Sequence, residues 1–224
     1  MTQRSFRCAL ALTALALVPS TSSASRSTLN PPPPPKQSPE QEAARLYNDG
    51  LGYADKGDKL VKEADAEADA AKKAKLTKKS LDRYADAAEK FTDATKKNPK
   101  LFQAWGSLGY AYRKSGKYTE ALTAYNQALT LEPGYTPAIE YRAEAFLELD
   151  QLDGVKDAYM ILFQHDRPRA DELDAAIQKW IEKHKASPGS LDPAAVESFS
   201  KWAAERRQIS SQTSALIAPA HAGW

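Results

Sequence analysis

The chain has 224 residues and a mass of 24.6 kDa, with 31 Lys and Arg against 29 Asp and Glu, one Cys and 14 Pro. At 42% hydrophobic and 27% charged residues it can bury a core, and no stretch reaches the roughly 20 apolar residues of a membrane-spanning helix, which excludes a polytopic helical membrane protein. A formal charge of +2 provides no overall field to hold nucleic acid or an anionic bilayer.

In chain order, Arg4 and Arg7 precede an apolar run from Cys8 to Val18, and the small, polar stretch PSTSSA follows it. A basic segment, an apolar segment and small residues at Ser22 and Ala24 predict an export signal over residues 1–24, cleaved after Ala24. Cys8 lies inside the apolar run, too early for lipid attachment. The remaining chain has 29 basic and 29 acidic residues and no Cys, so it can form neither a disulfide nor a thiolate metal site. Export without disulfides points to a bacterial periplasm or cell envelope, or to the extracellular space. Residues 25–41 contain five consecutive prolines, Pro31–Pro35, and predict a polyproline linker rising about 3 Å per residue.

From residue 42 the pattern is helical. Leu46, Gly50 and Tyr53 mark the packing face of a helix beginning near Ala43. In residues 102–135 a helical hairpin is legible in detail. Trp105, Leu108, Tyr112, Tyr125 and Ala128 form its apolar stripe, and Gly109 and Ala121 are small where two antiparallel helices cross. Ser115-Gly116-Lys117 makes the turn, and Pro133 ends the second helix. The second-helix pattern stands 34 residues earlier at Ala87, Phe91, Ala94 and Pro99. The whole hairpin pattern recurs over the next 34 residues, Thr136 to Arg169, through Ala143, Phe146 and Tyr159, with departures at Arg142, Val155 and Leu162 and a helix-ending Pro168 one place late. These eight positions, Trp105 to Pro133, resemble those of the tetratricopeptide repeat family, and the resemblance covers residues 42–169.

The first repeat is stretched. Gly50 and Ala87 lie 37 residues apart where Gly109 and Ala121 lie 12 apart, which leaves 25 extra residues rich in Ala, Lys, Asp and Glu. Both helices must lengthen, each by about 12 residues or roughly 18 Å, into an extended hairpin. The turn is expected near Ala70–Thr77, with Leu60, Val61, Ala64 and Ala68 facing Leu81, Tyr84 and Ala88. Eight basic and six acidic residues from Asp58 to Arg83 read as a solvated face, with a partner-binding arm as the alternative. Two capping helices are expected over 170–208. One carries Leu173, Ile177, Trp180 and Ile181, and the other starts at Asp192-Pro193 and carries Val196, Phe199 and Trp202. Residues 209–224 read as a flexible tail.

The resemblance implies an all-α superhelical array of about three repeats (42–101, 102–135 and 136–169) that binds a partner segment in its concave groove. The family's groove-facing positions fall on Tyr47 and Leu51, on Gln103, Gly106, Tyr110 and Arg113, and on Glu140, Glu144 and Leu147. Tyr110 with Arg113 is the preferred anchor, because Tyr and Arg are enriched at interface hot spots. Some family members clamp a chaperone peptide's terminal carboxylate with Lys, Asn and Arg. The corresponding positions here are Tyr47, Leu51, Tyr110, Pro137 and Tyr141, so the clamp is absent and a peptide with apolar anchors and some basic character is expected instead. His165, His184 and His221 lack metal-ligand spacing and read as surface or tail residues. No nucleophile, zinc or phosphate-loop motif occurs. The expectation is therefore a non-catalytic protein–protein scaffold without metal or cofactor. The alternatives are a self-associating structural protein, a homodimer joined through the Trp180 and Trp202 helices, and an envelope-polymer hydrolase using Glu140 and Glu144.

Overall fold

Ser38 opens the first helix with a capping box: its Oγ accepts from the Gln41 amide at 3.3 Å, and its own amide donates to Gln41 Oε1 at 3.0 Å. The computed structural model describes residues 37–187 and 191–217. Within them the chain forms eight helices: α1 (Pro39–Ala66), α2 (Ala70–Lys97), α3 (Phe102–Lys114), α4 (Tyr118–Leu131), α5 (Thr136–Glu148), α6 (Leu152–His165), α7 (Arg167–Ala186) and α8 (Pro193–Ile217). The export signal and most of the proline-rich linker lie outside the described residues. The last three linker residues, 39–41, are the first turn of α1, because the Ser38–Gln41 box starts the helix there.

Successive helices pair as antiparallel hairpins, α1 with α2, α3 with α4 and α5 with α6, and each hairpin packs on the next. In the first two pairs the second helix sets an aromatic ring against a glycine of the first, and in the third the roles are reversed, with Phe146 of α5 against Gly154 of α6. A Cβ added at Gly109 would stand 2.6 Å from the Tyr125 ring, at Gly57 2.7 Å from Tyr84 and at Gly50 2.6 Å from Phe91. Those three rings are fully buried. Gly50 and Gly57 are seven residues apart, as are Phe91 and Tyr84, so two glycine–ring pairs set the register of the long hairpin.

That hairpin is made of two 28-residue helices, where α3 to α6 have 13 or 14 residues. Its turn lies at 67–69, ahead of the expected Ala70–Thr77. Asp69 starts α2 by accepting from the Lys72 amide at 2.8 Å, and Glu67 Oε1 holds the Asp69 amide at 2.9 Å. Ala68 is therefore exposed in the turn, and Leu81 is 41% exposed rather than facing α1, whereas Ala64, Tyr84 and Ala88 are buried as expected.

The tight turns of the array use left-handed backbone at equivalent places, Gly116 at φ 74° and Asp150 at φ 57°. Aspartate tolerates this conformation better than most residues. Here its carboxylate is also anchored, accepting from Trp180 Nε1 at 3.2 Å and lying 3.4 Å from His184 Nε2. Pro168 sits in the first turn of α7 rather than ending α6, because Asp166 caps α7 through the Arg169 amide. The cap thus begins before residue 170.

Leu173, Ile177, Trp180 and Ile181 of α7 join Val196, Phe199 and Ala203 of α8 in one core with Val155 and Leu162. Trp180 meets Phe199 edge-on at 5.4 Å, and Trp202 stacks on Phe199 at 5.5 Å. His184 corrects the surface expectation: it is buried and stacked on Trp180 at 4.0 Å. Helix α8 continues to Ile217, so residues 209–217 are helix rather than tail, since no Gly or Pro interrupts the segment before Pro219.

Candidate functional site

Helices α1, α3, α5 and α7 form an inner row, each touching the next. Along α1 the helical period brings Tyr47, Leu51 and Asp58 to the side facing α3. Along α3 it brings Gln103, Gly106, Tyr110 and Arg113 to one side, and along α5 it brings Pro137, Glu140, Tyr141 and Glu144. The centre of the row is a joined set of aromatic and charged groups.

Tyr110 is its pivot. The hydroxyl donates to Asp58 Oδ1 at 2.6 Å, and the Tyr84 hydroxyl donates to the same oxygen at 2.6 Å. Burial, then the Asp58 charge, push the Tyr110 hydroxyl well above the ordinary phenol range; burial and the Asp58 hydrogen bond do the same to Tyr84. Both phenols therefore stay protonated donors. The Tyr110 ring lies 5.3 Å from that of Tyr141. Over both rings sits the Arg113 guanidinium, 5.4 Å from Tyr110 and 4.9 Å from Tyr141, and it is ion-paired to Glu144. Burial opposes the Arg113 charge, but Glu144, with Tyr125 and Tyr110, raises its pKa above the usual value. Lys114 Nζ stands 5.6 Å over the Tyr84 ring, and burial, then Arg113, lower its pKa.

The third-repeat wall departs from expectation. Glu140 is only 2% exposed and pairs with Arg169 of α7, and Leu147 lies in the core shared with α7 and α8. Packing of α7 against α5 covers both, so neither offers a surface to a partner. Burial pushes the Glu140 carboxyl up to about 8, with Arg169 opposing. Burial and Glu140 push the Tyr141 hydroxyl up to about 12. Glu140 and Glu144 are one helical turn apart yet diverge, one to Arg169 and the other to Arg113. Each of the two carboxylates is thus engaged by a different guanidinium group. Trp180 is buried in the chain's own core, and Trp202 packs half-buried against it.

Tyr47, Leu51 and Gln103 remain half-buried along the row. Tyr47 packs 5.8 Å from Phe91, Leu51 lies on the core between α2 and α3, and Gly106 is covered by the Tyr135 ring. Sequence reasoning brought Tyr110, Arg113 and Glu144 together but missed Asp58, Lys114 and Arg169, and it placed Tyr84 only in the hairpin. Asp58 and Tyr110 are 52 residues apart, so no local period announces their contact. Among the described residues no cluster of His, Cys, Asp or Glu could hold a metal ion.

Residues 78–136 match the family model described as tetratricopeptide repeat. Hsp70-Hsp90 organizing protein 2 of Arabidopsis thaliana is 26% identical over 112 residues, covering 50% of this chain and 19% of that protein. Superkiller protein 3 of Schizosaccharomyces pombe is 46% identical over 43 residues, 19% of this chain and 3% of its own. The chain thus spans about a fifth or less of the curated relatives it matches. Among solved structures, the first TPR domain of human RPAP3 aligns at 18% identity and TM-score 0.49, over 66% of this chain and 98% of that one. The first TPR of Spaghetti (RPAP3) bound to the HSP90 peptide SRMEEVD aligns at 21% identity and TM-score 0.40, over 56% and 96%. With the family match spanning residues 78–136 and the Gly109–Tyr125 crossing lying inside it, the chain carries a tetratricopeptide repeat within an all-α array of helical hairpins.

Proposed function

We propose that the chain is a non-catalytic adaptor of an exported compartment, periplasmic or extracellular, that binds a segment of another protein along the α1–α3–α5 row. The observation that carries this is the Tyr110–Tyr141–Arg113 platform, two rings and a guanidinium held in place by Asp58 and Glu144 before any partner arrives. Rigid aromatic and Arg groups lose little freedom on binding, which is the property of a hot spot. The acidic flank of Asp55, Asp58 and Asp65 along α1 favours a segment with apolar anchors and basic side chains. A carboxylate-terminated peptide has no Lys, Asn and Arg clamp to engage, since Tyr47, Leu51, Tyr110, Pro137 and Tyr141 stand at those positions.

The test is crosslinking in intact cells from a photoreactive residue at Gln103 or Leu51, beside the platform, and from one at Lys73 on the hairpin tip as comparison. One protein captured from both groove positions, and released by an excess of its own basic, apolar-anchored segment, is the expected result. Capture from Lys73 alone moves the contact to the hairpin and removes the groove reading.

A further inference from the structure

By count the long hairpin carries a mixture of charge, but the fold separates the signs. Between Ala70 and Leu81, α2 holds Lys72, Lys73, Lys75, Lys78 and Lys79 and no acid. The acids of the tip lie on α1 and in the turn: Glu63, Asp65, Glu67 and Asp69. Glu67 and Asp69 are engaged by the Asp69 and Lys72 amides. All five lysines are exposed, and none enters an ion pair among the described residues. The rest of α2 behaves differently, with Arg83 paired to Asp86, Lys90 to Glu89 and Lys96 to Asp93.

Helix physics makes this arrangement unfavourable on its own account. Lys72 and Lys73 occupy the first turn of α2, which has no acidic residue. They stand at the positive end of the helix dipole, where acids stabilise and cations repel. A stability-neutral sequence would place Glu or Asp there, so the lysines point to a use outside the fold. The segment also stands clear of the array. Helix α2 meets α3 from Tyr84 onward, so the start of α2 at Ala70 projects about 21 Å past that contact at 1.5 Å per residue.

We infer that the basic tip of the long hairpin docks peripherally on an anionic phospholipid surface. The cluster is all lysine, a point-charge donor suited to diffuse attraction, whereas bidentate reading of carboxylates or bases calls for arginine. It has no aromatic residue on which a base could stack. The residues before and between the lysines are Ala70, Ala71, Ala74, Leu76 and Thr77, small or mostly apolar groups that can lie against headgroups while the ammonium groups spread over them. No helix among the described residues is long and apolar enough to cross a membrane, so the contact is one of the surface. Such lysines each strengthen binding to an anionic bilayer about five-fold.

The experiment is co-sedimentation of the full chain with vesicles of phosphatidylcholine alone and of phosphatidylcholine mixed with phosphatidylglycerol. The wild type is compared with the Lys73→Gln, Lys75→Gln, Lys79→Gln variant. Wild type should bind the anionic vesicles only, should be released as salt rises, and should bind about 100-fold more tightly than the variant. The variant keeps the N-terminal apolar run, so the difference belongs to the lysines. Its helicity and Tm should be unchanged or slightly higher, because cations leave the start of a helix. Equal binding by wild type and variant, or no preference for anionic vesicles, overturns the inference. So does lysine-dependent binding of a DNA duplex without vesicle binding, which would reassign the tip to nucleic acid.

Discussion

Two glycines of α1, five residues apart, should respond to the same substitution with opposite sign. A Cβ at Gly52 meets nothing within 4 Å, so Gly52→Ala gains only the helix propensity of alanine, about 0.5–1 kcal/mol. A Cβ at Gly57 would stand 2.7 Å from Cε1 of Tyr84, 2.9 Å from Cζ and 3.0 Å from Cδ1. The ring is fully buried and its hydroxyl is held by Asp58 at 2.6 Å, so it cannot retreat freely. Either α1 and α2 separate, an overpacking cost of about 1–3 kcal/mol, or the ring swings and gives up a hydrogen bond to a charged acceptor, about 1.5–3 kcal/mol. After the helix gain is subtracted, Gly57→Ala should destabilise by about 1–2 kcal/mol. For a chain of this size 1 kcal/mol corresponds to roughly 2–4 °C. Thermal unfolding followed by circular dichroism should show Tm rising for Gly52→Ala and falling for Gly57→Ala. The Gly57→Ala loss should shrink in a Tyr84→Leu background, where the ring is gone. Equal shifts of the same sign, or a Gly57→Ala loss untouched by removal of the ring, would refute the glycine–ring account of the register.

Asp58→Ala should lower stability by about 2–4 kcal/mol in urea unfolding, because two phenols lose a charged acceptor at once. Tyr84→Phe and Tyr110→Phe should each reproduce part of that loss and add little in the Asp58→Ala background. Glu140 gives a pH signature. Its folded pKa of about 8 lies above the unfolded value of 4.5, so the folded chain holds the extra proton between them and stability falls as pH rises through that window. The slope should be at most about 1.4 kcal/mol per pH unit, and denaturant melts at pH 5 and pH 8 should differ less in Glu140→Gln than in wild type.

The fold was legible where a residue's neighbours lie on its own hairpin. Gly109 with Ala121, and Tyr125 four residues further on, encode a close helix crossing within 17 residues, and the structure places Tyr125 on Gly109. The elongated hairpin was legible in length but not in its turn, because the segment from Ala64 to Ala74 has no Gly or Pro and only a single carboxylate, Asp69, decides where α2 starts. The site was legible in part. Tyr110, Arg113 and Glu144 follow from the family's spacing, but the covering of Glu140 and Leu147 depends on α7, whose approach to α5 no periodicity within α5 reports. His184 was misjudged although it continues the apolar stripe of α7 one turn beyond Trp180; only its Asp150 neighbour comes from elsewhere, the α5–α6 turn.

The lengthening of α1 does more than add an arm. A first helix of the 13 residues seen in α3 would begin at Pro39 and end near Leu51, a full two turns short of Asp58. The acceptor that fixes Tyr110 therefore exists only because the helix was extended, and the same helix continues into the lysine-bearing hairpin. Asp58 bonds to α2 through Tyr84 and to α3 through Tyr110. Tilting of the hairpin away from the array would have to break the Tyr110 bond, while the Tyr84 bond and the Gly57 contact would travel with the hairpin. The Asp58–Tyr110 bond, a charge-assisted hydrogen bond of about 1.5–3 kcal/mol, is one link between hairpin and groove, beside the Tyr84–Tyr110 ring contact and the apolar core that α1 and α2 share with α3. Tyr110→Phe removes that hydrogen bond and leaves the ring contact and the hairpin's own packing in place, so it isolates the share of the coupling that the bond carries.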